Sequence, residues 1–181
     1  MAIDSTAFAT IYDEFAPRIF KFCYFRVSSR EEAEDLASLT FIRAWDHIQA
    51  GKEVRTMQAF LYRIANNLII DFYRKRGDTR DLSLDDPKNP IDIPETADFV
   101  EELDLRMTVD QVRATLAKLP DSYREVIVMR YVSDLSVKEI AAALETSENN
   151  ISVRLHRAIE KLRRLAGSEP RPEASGLKTL V

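Results

Sequence analysis

What the chain lacks narrows the field first. A single cysteine, Cys23, excludes an internal disulfide, and the two histidines, His47 and His156, have none of the clustered Cys, His or carboxylate spacing of a metal site. Four glycines and no sustained apolar–polar alternation argue against strands, so the expectation is an all-α protein. No apolar run approaches the roughly 20 residues of a membrane span, and no segment has the charged start, apolar run and small-residue cleavage site of a secretory signal. A soluble, cytoplasmic protein from a reducing compartment is expected, with no cofactor and no membrane insertion.

What is present is unevenly distributed. Across 181 residues the formal net charge is -4, which at first speaks against nucleic acid, yet residues 1–76 carry almost balanced charge. The stretch "GDTRDLSLDDPKNPIDIPE", residues 77–95, holds six acidic residues against two basic ones, with Pro87, Pro90 and Pro94. It shows no helical or strand periodicity and reads as a flexible acidic linker. Residues 167–181, polar with two prolines and two glycines, read as a disordered tail. Two small helical domains remain, 1–76 and 96–166.

In the first domain Phe8, Ile11, Tyr12, Phe15, Ile19, Phe22 and Cys23 recur at three- and four-residue intervals, a helix stripe that Pro17 is placed to kink. Ser29 with Glu32 three residues on forms a capping box for a second helix, whose stripe is Ala33, Leu36, Phe41, Ala44 and Trp45. Beyond Gly51 a third helix turns Leu61, Ile64, Leu68 and Phe72 inward and leaves Arg63, Asn66, Asn67, Asp71, Arg74 and Lys75 on other faces. The second domain is expected to begin near Thr96, with Asp98, Glu101 and Glu102 at the positive end of a helix whose buried stripe is Leu105, Val109, Val112, Leu116 and Leu119.

The segment "LSVKEIAAALETSENNISVRLHRAIEKLRR", residues 135–164, carries two helical patterns joined by Glu145, Thr146 and Ser147, with a capping box at Ser136 and Glu139. On a helical wheel Ile151, Leu155, Ala158 and Leu162 fall together and face the core, while Asn149, Asn150, Val153, His156, Arg157 and Glu160 lie opposite. A short turn between two such helices predicts a helix-turn-helix whose second helix enters a major groove.

At this point the chain resembles a known family. "LPDSYREVIVMRYVSDLSVKEIAAALETSENNISVRLHRAIEKLR" is similar to region 4 of the extracytoplasmic-function sigma factors of the sigma-70 family, and "AEDLASLTFIRAW" with "FLYRIANNLIIDFYRKR" to their region 2. The resemblance covers nearly the whole chain up to Leu165. It implies a bacterial RNA polymerase sigma factor, not an enzyme, with core RNA polymerase, promoter DNA and an anti-sigma factor as partners. The first domain would grip polymerase and open the minus-ten element, and the second would bind the minus-thirty-five element as duplex.

Carried over by position, Asp35, Leu36, Leu39, Phe41 and Arg43 become the polymerase-binding residues. Lys52, Arg55, Arg63, Asn66, Asn67, Asp71, Arg74 and Lys75 become the minus-ten readers. Ser147, Glu148, Asn149, Asn150, Ser152, Val153, Arg154, His156 and Arg157 become the minus-thirty-five readers, with Val153 suited to a thymine methyl. The chain departs from the family where Ser38 and Leu39 replace the usual Gln and Glu, where Asn149 and Asn150 replace a Gly-Thr pair, and where Ser152 replaces a basic residue. Asp81, Asp85, Asp86 and Asp92 are expected to follow the family's linker path through a basic polymerase channel.

Two rival readings fit less. A free-standing helix-turn-helix regulator would need a ligand site in the first domain, and none is visible. A nucleic-acid-processing enzyme would need grouped carboxylates, which Asp35, Asp46 and Asp71 are not. Without the resemblance, Asn66, Asn67 and Asp71 also read as a solvated helix face, and Arg74, Lys75 and Arg76 as partners of the helix dipole.

Overall fold

Among the described residues seven α-helices form where the caps and stripes call for them. The structure, a computed structural model, describes residues 4–77 and 108–167. The acidic segment 78–95, the expected start near Thr96 with Asp98, Glu101, Glu102 and Leu105, and the tail from 168 lie outside the described residues.

Helix α1 spans Ser5–Tyr24, capped by Asp4, whose side chain accepts from the Ala7 amide at 2.8 Å. It continues through Pro17 and buries Phe15, Ile19, Phe22 and Cys23. Helix α2, Arg30–Gln49, starts on the expected Ser29–Glu32 capping box, and α3, Met57–Lys75, ends in basic residues. Gly51 and Gly77, both at positive φ, follow these two helices in the left-handed conformation that releases the chain from a helix end. The three helices pack on one another, with Trp45 half-buried against the Phe8 ring at 4.9 Å.

Burial pushes the Cys23 thiol up to about 12, against the weaker downward pull of Arg26. The reactive thiolate is then scarce and screened from reagent. The native protein at pH 8 should therefore react with an aromatic disulfide reagent only on the timescale of unfolding. Immediate release of one chromophore per chain would contradict this packing.

In the second half α4 spans Val109–Ala117 and starts on a Thr108–Gln111 capping box. Helix α5, Asp121–Ile127, runs into one π-helical turn, Val128–Val132. Helix α6, Val137–Ala143, uses the expected Ser136–Glu139 box, and α7 spans Glu148–Gly167. Leu116 and Leu119 are buried as expected, but Val109, in the opening turn of α4, is 54% exposed. Asp134 and Glu145 adopt left-handed backbone, φ 56° and 52°, on either side of α6.

The two halves pack against each other. Helix α3 lies on α6, α1 touches the π-helical turn, and one apolar cluster runs from Phe15 through Ile69 to Leu162. Arg113 reaches across to the carbonyls of Tyr24, Val27 and Ser28 and covers the Tyr24 ring at 3.9 Å.

Candidate nucleic-acid interface

The loop after α2 and the outer side of α3 collect cations. Lys52 and Arg55 are exposed on the loop, and Arg74 and Lys75 on the last turn of α3, where the negative helix end favours them. Asn67 is exposed and Asp71 half-exposed beside them, the latter 3.3 Å from Arg74. Arg63 stacks over the Phe60 ring at 5.6 Å. A cavity of about 470 Å³ opens here, lined by Val54, Arg55, Phe60 and Arg63 on one side and by Ala142 and Glu145 on the other. Phe60 itself is buried beneath Arg63 and His47, and Glu53 and Glu145 share the rim with Arg55 and Arg63, so what this region offers a strand is the exposed cations that hold a backbone.

Asn66 does not belong to that outer set. It is 5% exposed, and its Oδ1 accepts from Arg26 at 2.9 Å. Arg26, fully buried, also donates to Asp121 at 2.9 Å, which in turn holds Arg124 at 3.0 Å. Nearby Arg154 donates to Glu125 at 3.0 Å. Five charged groups thus meet in the joint between the halves. Burial pushes the Asp121 carboxyl up, but Arg26 and Arg124 outweigh it and hold the group below the ordinary carboxylate range. For Glu125 burial wins, and its carboxyl is raised.

The helix-turn-helix is present, with α6 and α7 joined through Leu144–Ser147. Ser147 accepts from the Asn150 amide at 3.1 Å and so caps α7. Ile151, Leu155, Ala158 and Leu162 face the core, as the wheel predicts. Ser147, Glu148 and Asn149 stand exposed at the start of α7, with Ser152, His156 and Arg157 half-exposed behind them. Asn150 is half-buried, its Nδ2 committed to the Thr146 hydroxyl at 2.9 Å.

Val153 and Arg154 depart from expectation. Both are buried, Val153 with no exposed surface, because α7 packs against α4, α5 and α6 and three neighbours cover more than the one face a wheel assigns. In this arrangement Val153 cannot meet a thymine methyl, and Arg154 is spent on Glu125.

On α2, Asp35 and Arg43 are exposed, but Leu36 and Phe41 belong to the core, with Phe41 edge-on to Tyr12 at 4.8 Å. The apolar side chains this helix offers outward are Leu39, 38% exposed, and Ile42, 57% exposed. The sequence reading missed Ile42, although its place three residues after Leu39 puts the two on one face. Tyr12 of α1 is also exposed. Among the described residues no cluster of His, Cys, Asp or Glu could hold a metal ion, and no helix is long and apolar enough to cross a membrane.

Against known proteins, the Sigma-70 region 2 profile matches residues 11–79 and the Sigma-70 region 4 profile residues 110–162. The chain is 36% identical over 174 residues to the ECF RNA polymerase sigma factor SigW of Bacillus subtilis, covering 89% of each protein. It is 31% identical over 150 residues to the ECF RNA polymerase sigma factor SigE of Mycolicibacterium smegmatis, covering 82% of this chain and 57% of that protein. Among solved structures, CnrH in complex with the cytosolic domain of CnrY superposes with a TM-score of 0.68 at 24% identity, covering 92% of each chain. RpoE in complex with the anti-sigma factor NepR from Bartonella quintana does so with a TM-score of 0.62 at 23% identity, covering 90% of this chain and 98% of that one.

Proposed function

Since the chain belongs to the extracytoplasmic-function RNA polymerase sigma factors of the sigma-70 family, we propose that residues 1–76 bind core polymerase and open the minus-ten element while residues 96–166 bind the minus-thirty-five element. As a sigma factor it directs promoter-specific initiation, and catalysis belongs to the polymerase. The observation that carries the division of labour is the separation of two surfaces: exposed Lys52 and Arg55 on the α2–α3 loop with Arg74 and Lys75 on α3, and a capped α7 with Asn149 exposed at its start. Single-strand capture needs the first, because the backbone of an opened strand is held by cations. Duplex reading needs the second, because an amide at a helix start can pair with a base edge.

Lys52, Arg55, Arg63, Asn67, Arg74 and Lys75 serve the minus-ten strand, with Asp71 positioning Arg74. Ser147, Glu148, Asn149, Ser152, His156 and Arg157 serve the minus-thirty-five duplex. Asp35, Leu39, Ile42 and Arg43 on α2 meet the polymerase. The cytoplasm, where bacterial transcription takes place, is the site of action, and the complex of RpoE with the anti-sigma factor NepR supports an anti-sigma protein as regulator.

The test is reconstitution. Protein mixed with core polymerase should start transcripts that neither makes alone, from promoter fragments selected out of a random pool. With a selected promoter in hand, Asn149→Ala should weaken upstream binding by about 1–3 kcal/mol at one base position. Binding to promoters altered at single upstream positions reads this out. An equal loss on every sequence would reduce Asn149 to a backbone contact.

A further inference from the structure

The turn between α6 and α7 is braced by a side-chain bond that belongs neither to the core nor to the exposed start of α7. Thr146 donates its backbone N–H to the Ala141 carbonyl, in the last turn of α6, at 3.0 Å. Its hydroxyl accepts from Asn150 Nδ2 at 2.9 Å, and the Asn150 backbone N–H donates to the Ser147 hydroxyl at 3.1 Å. The end of α6 is thereby tied through Thr146 to the first turn of α7, and Glu145, at φ 52°, turns the chain just ahead of the tie. Asn150 Oδ1 is buried and has no hydrogen-bond partner. An amide held in this way adds little net stability, since the unmet acceptor offsets much of what the bond contributes. What the bond supplies is a fixed direction for the start of α7, where Asn149 stands exposed.

We propose that Asn150 is a positioning residue for the upstream duplex: through Thr146 it sets the angle at which α7 leaves the turn, and so the register of Asn149 against its base pair, without touching a base itself. The proposal rests on the promoter reading above and deepens it. An amide reads adenine by accepting and donating at once. In Asn150 the acceptor is covered and the donor is engaged, so that paired edge is not on offer. Asn149 has an exposed side chain, but its two bonds to a base form together only in one orientation. A small swing of the helix start breaks one of them, while phosphate contacts, which position the protein without reading sequence, survive it. Loss of the Thr146–Asn150 bond therefore lowers discrimination between promoters more than it lowers affinity in general.

Thr146→Val and Asn150→Ala, made separately and together in the full-length chain, test this. Thr146→Val removes the hydroxyl, keeps the branched shape and alters no residue assigned to the duplex. Each variant is assembled with core polymerase and bound to a promoter selected with the wild-type holoenzyme, and to versions altered at single upstream positions. The ratio of the two affinities measures discrimination, at a temperature where circular dichroism shows every variant folded. Both single variants should lose about three- to tenfold in that ratio at the position that Asn149→Ala identifies. The double variant should lose no more than either alone, and the slope of affinity against salt should stay that of wild type. In an Asn149→Ala background, Asn150→Ala should change the ratio little. Lost discrimination at a different base pair in Asn150→Ala, not shared by Thr146→Val, would make Asn150 a base reader and overturn the proposal. Additive losses in the double variant overturn it too, as do wild-type ratios in both folded single variants. If wild-type protein with core polymerase selects no promoter at all, the promoter reading falls and the positioning role with it.

Discussion

Asp121→Ala is expected to lower the melting temperature by roughly 10 °C. Asp121 is the carboxylate that faces both Arg26 and Arg124, and each of the three side chains is at most 5% exposed. Removing it leaves two like-charged guanidiniums without the carboxylate that bridges them, and Glu125, already paired with Arg154, is the remaining acid near Arg26. Breaking a buried pair in this way costs on the order of 3–5 kcal/mol, and a protein of this size shifts by about 2–4 °C per kcal/mol. The pH dependence gives the sign a second check. The folded-state carboxyl of Asp121 titrates lower than in the unfolded chain, so its contribution is fully present above the ordinary range near pH 4 and disappears as pH falls through the lower folded value. The stability gap between wild type and variant should be full at pH 7 and narrow in acid. A gap that widened on acidification, or a melting point within a degree or two of wild type at pH 7, would remove Asp121 from the joint's energetics.

Leu39→Asp combined with Ile42→Asp should reduce affinity for core polymerase by at least about 30-fold, roughly 2 kcal/mol, while leaving the melting temperature close to wild type. Both side chains face outward from α2, so a carboxylate at either is solvated in the free protein. In a complex the same carboxylates would be buried against a partner without counter-ions, which adds desolvation to the lost apolar contact. Leu36→Ala provides the contrast, since Leu36 lies in the core: it should cost about 2–5 kcal/mol of stability and leave the affinity of the folded protein unchanged. Titration of labelled protein with core polymerase separates the two outcomes. Wild-type affinity in the Asp variant would take α2's outer face out of the polymerase contact.

The features legible in the sequence are those written within one or two helical turns. The Ser29–Glu32 and Ser136–Glu139 boxes need a spacing of three residues and nothing else, and both form. The stripe from Ile151 to Leu162 is periodic, and it packs. What could not be read depends on residues far apart along the chain. Arg26 and Asp121 are 95 residues apart, so no local pattern announces that Asn66 will be buried beneath their pair. Val153 and Arg154 were misplaced for the same reason: a wheel knows one helix, and α7 packs against α4, α5 and α6. On α2 the pattern identified the core face but did not say which of its residues remain outside it. Leu36 and Phe41 were carried over by position to the polymerase, whereas burial reserves them for α1 and α3.

The left-handed backbone at Glu145 ties two selective pressures together. A non-glycine residue held at φ 52° carries a strain of roughly 1–2 kcal/mol that glycine would relieve. Yet glycine there also deletes the carboxylate that holds Arg63. Selection for backbone ease alone would drift toward glycine at this turn and release Arg63 from its partner. A chain that keeps glutamate here trades local relaxation for a contact between its two halves, so that pairing sets a ceiling on how relaxed this turn can become.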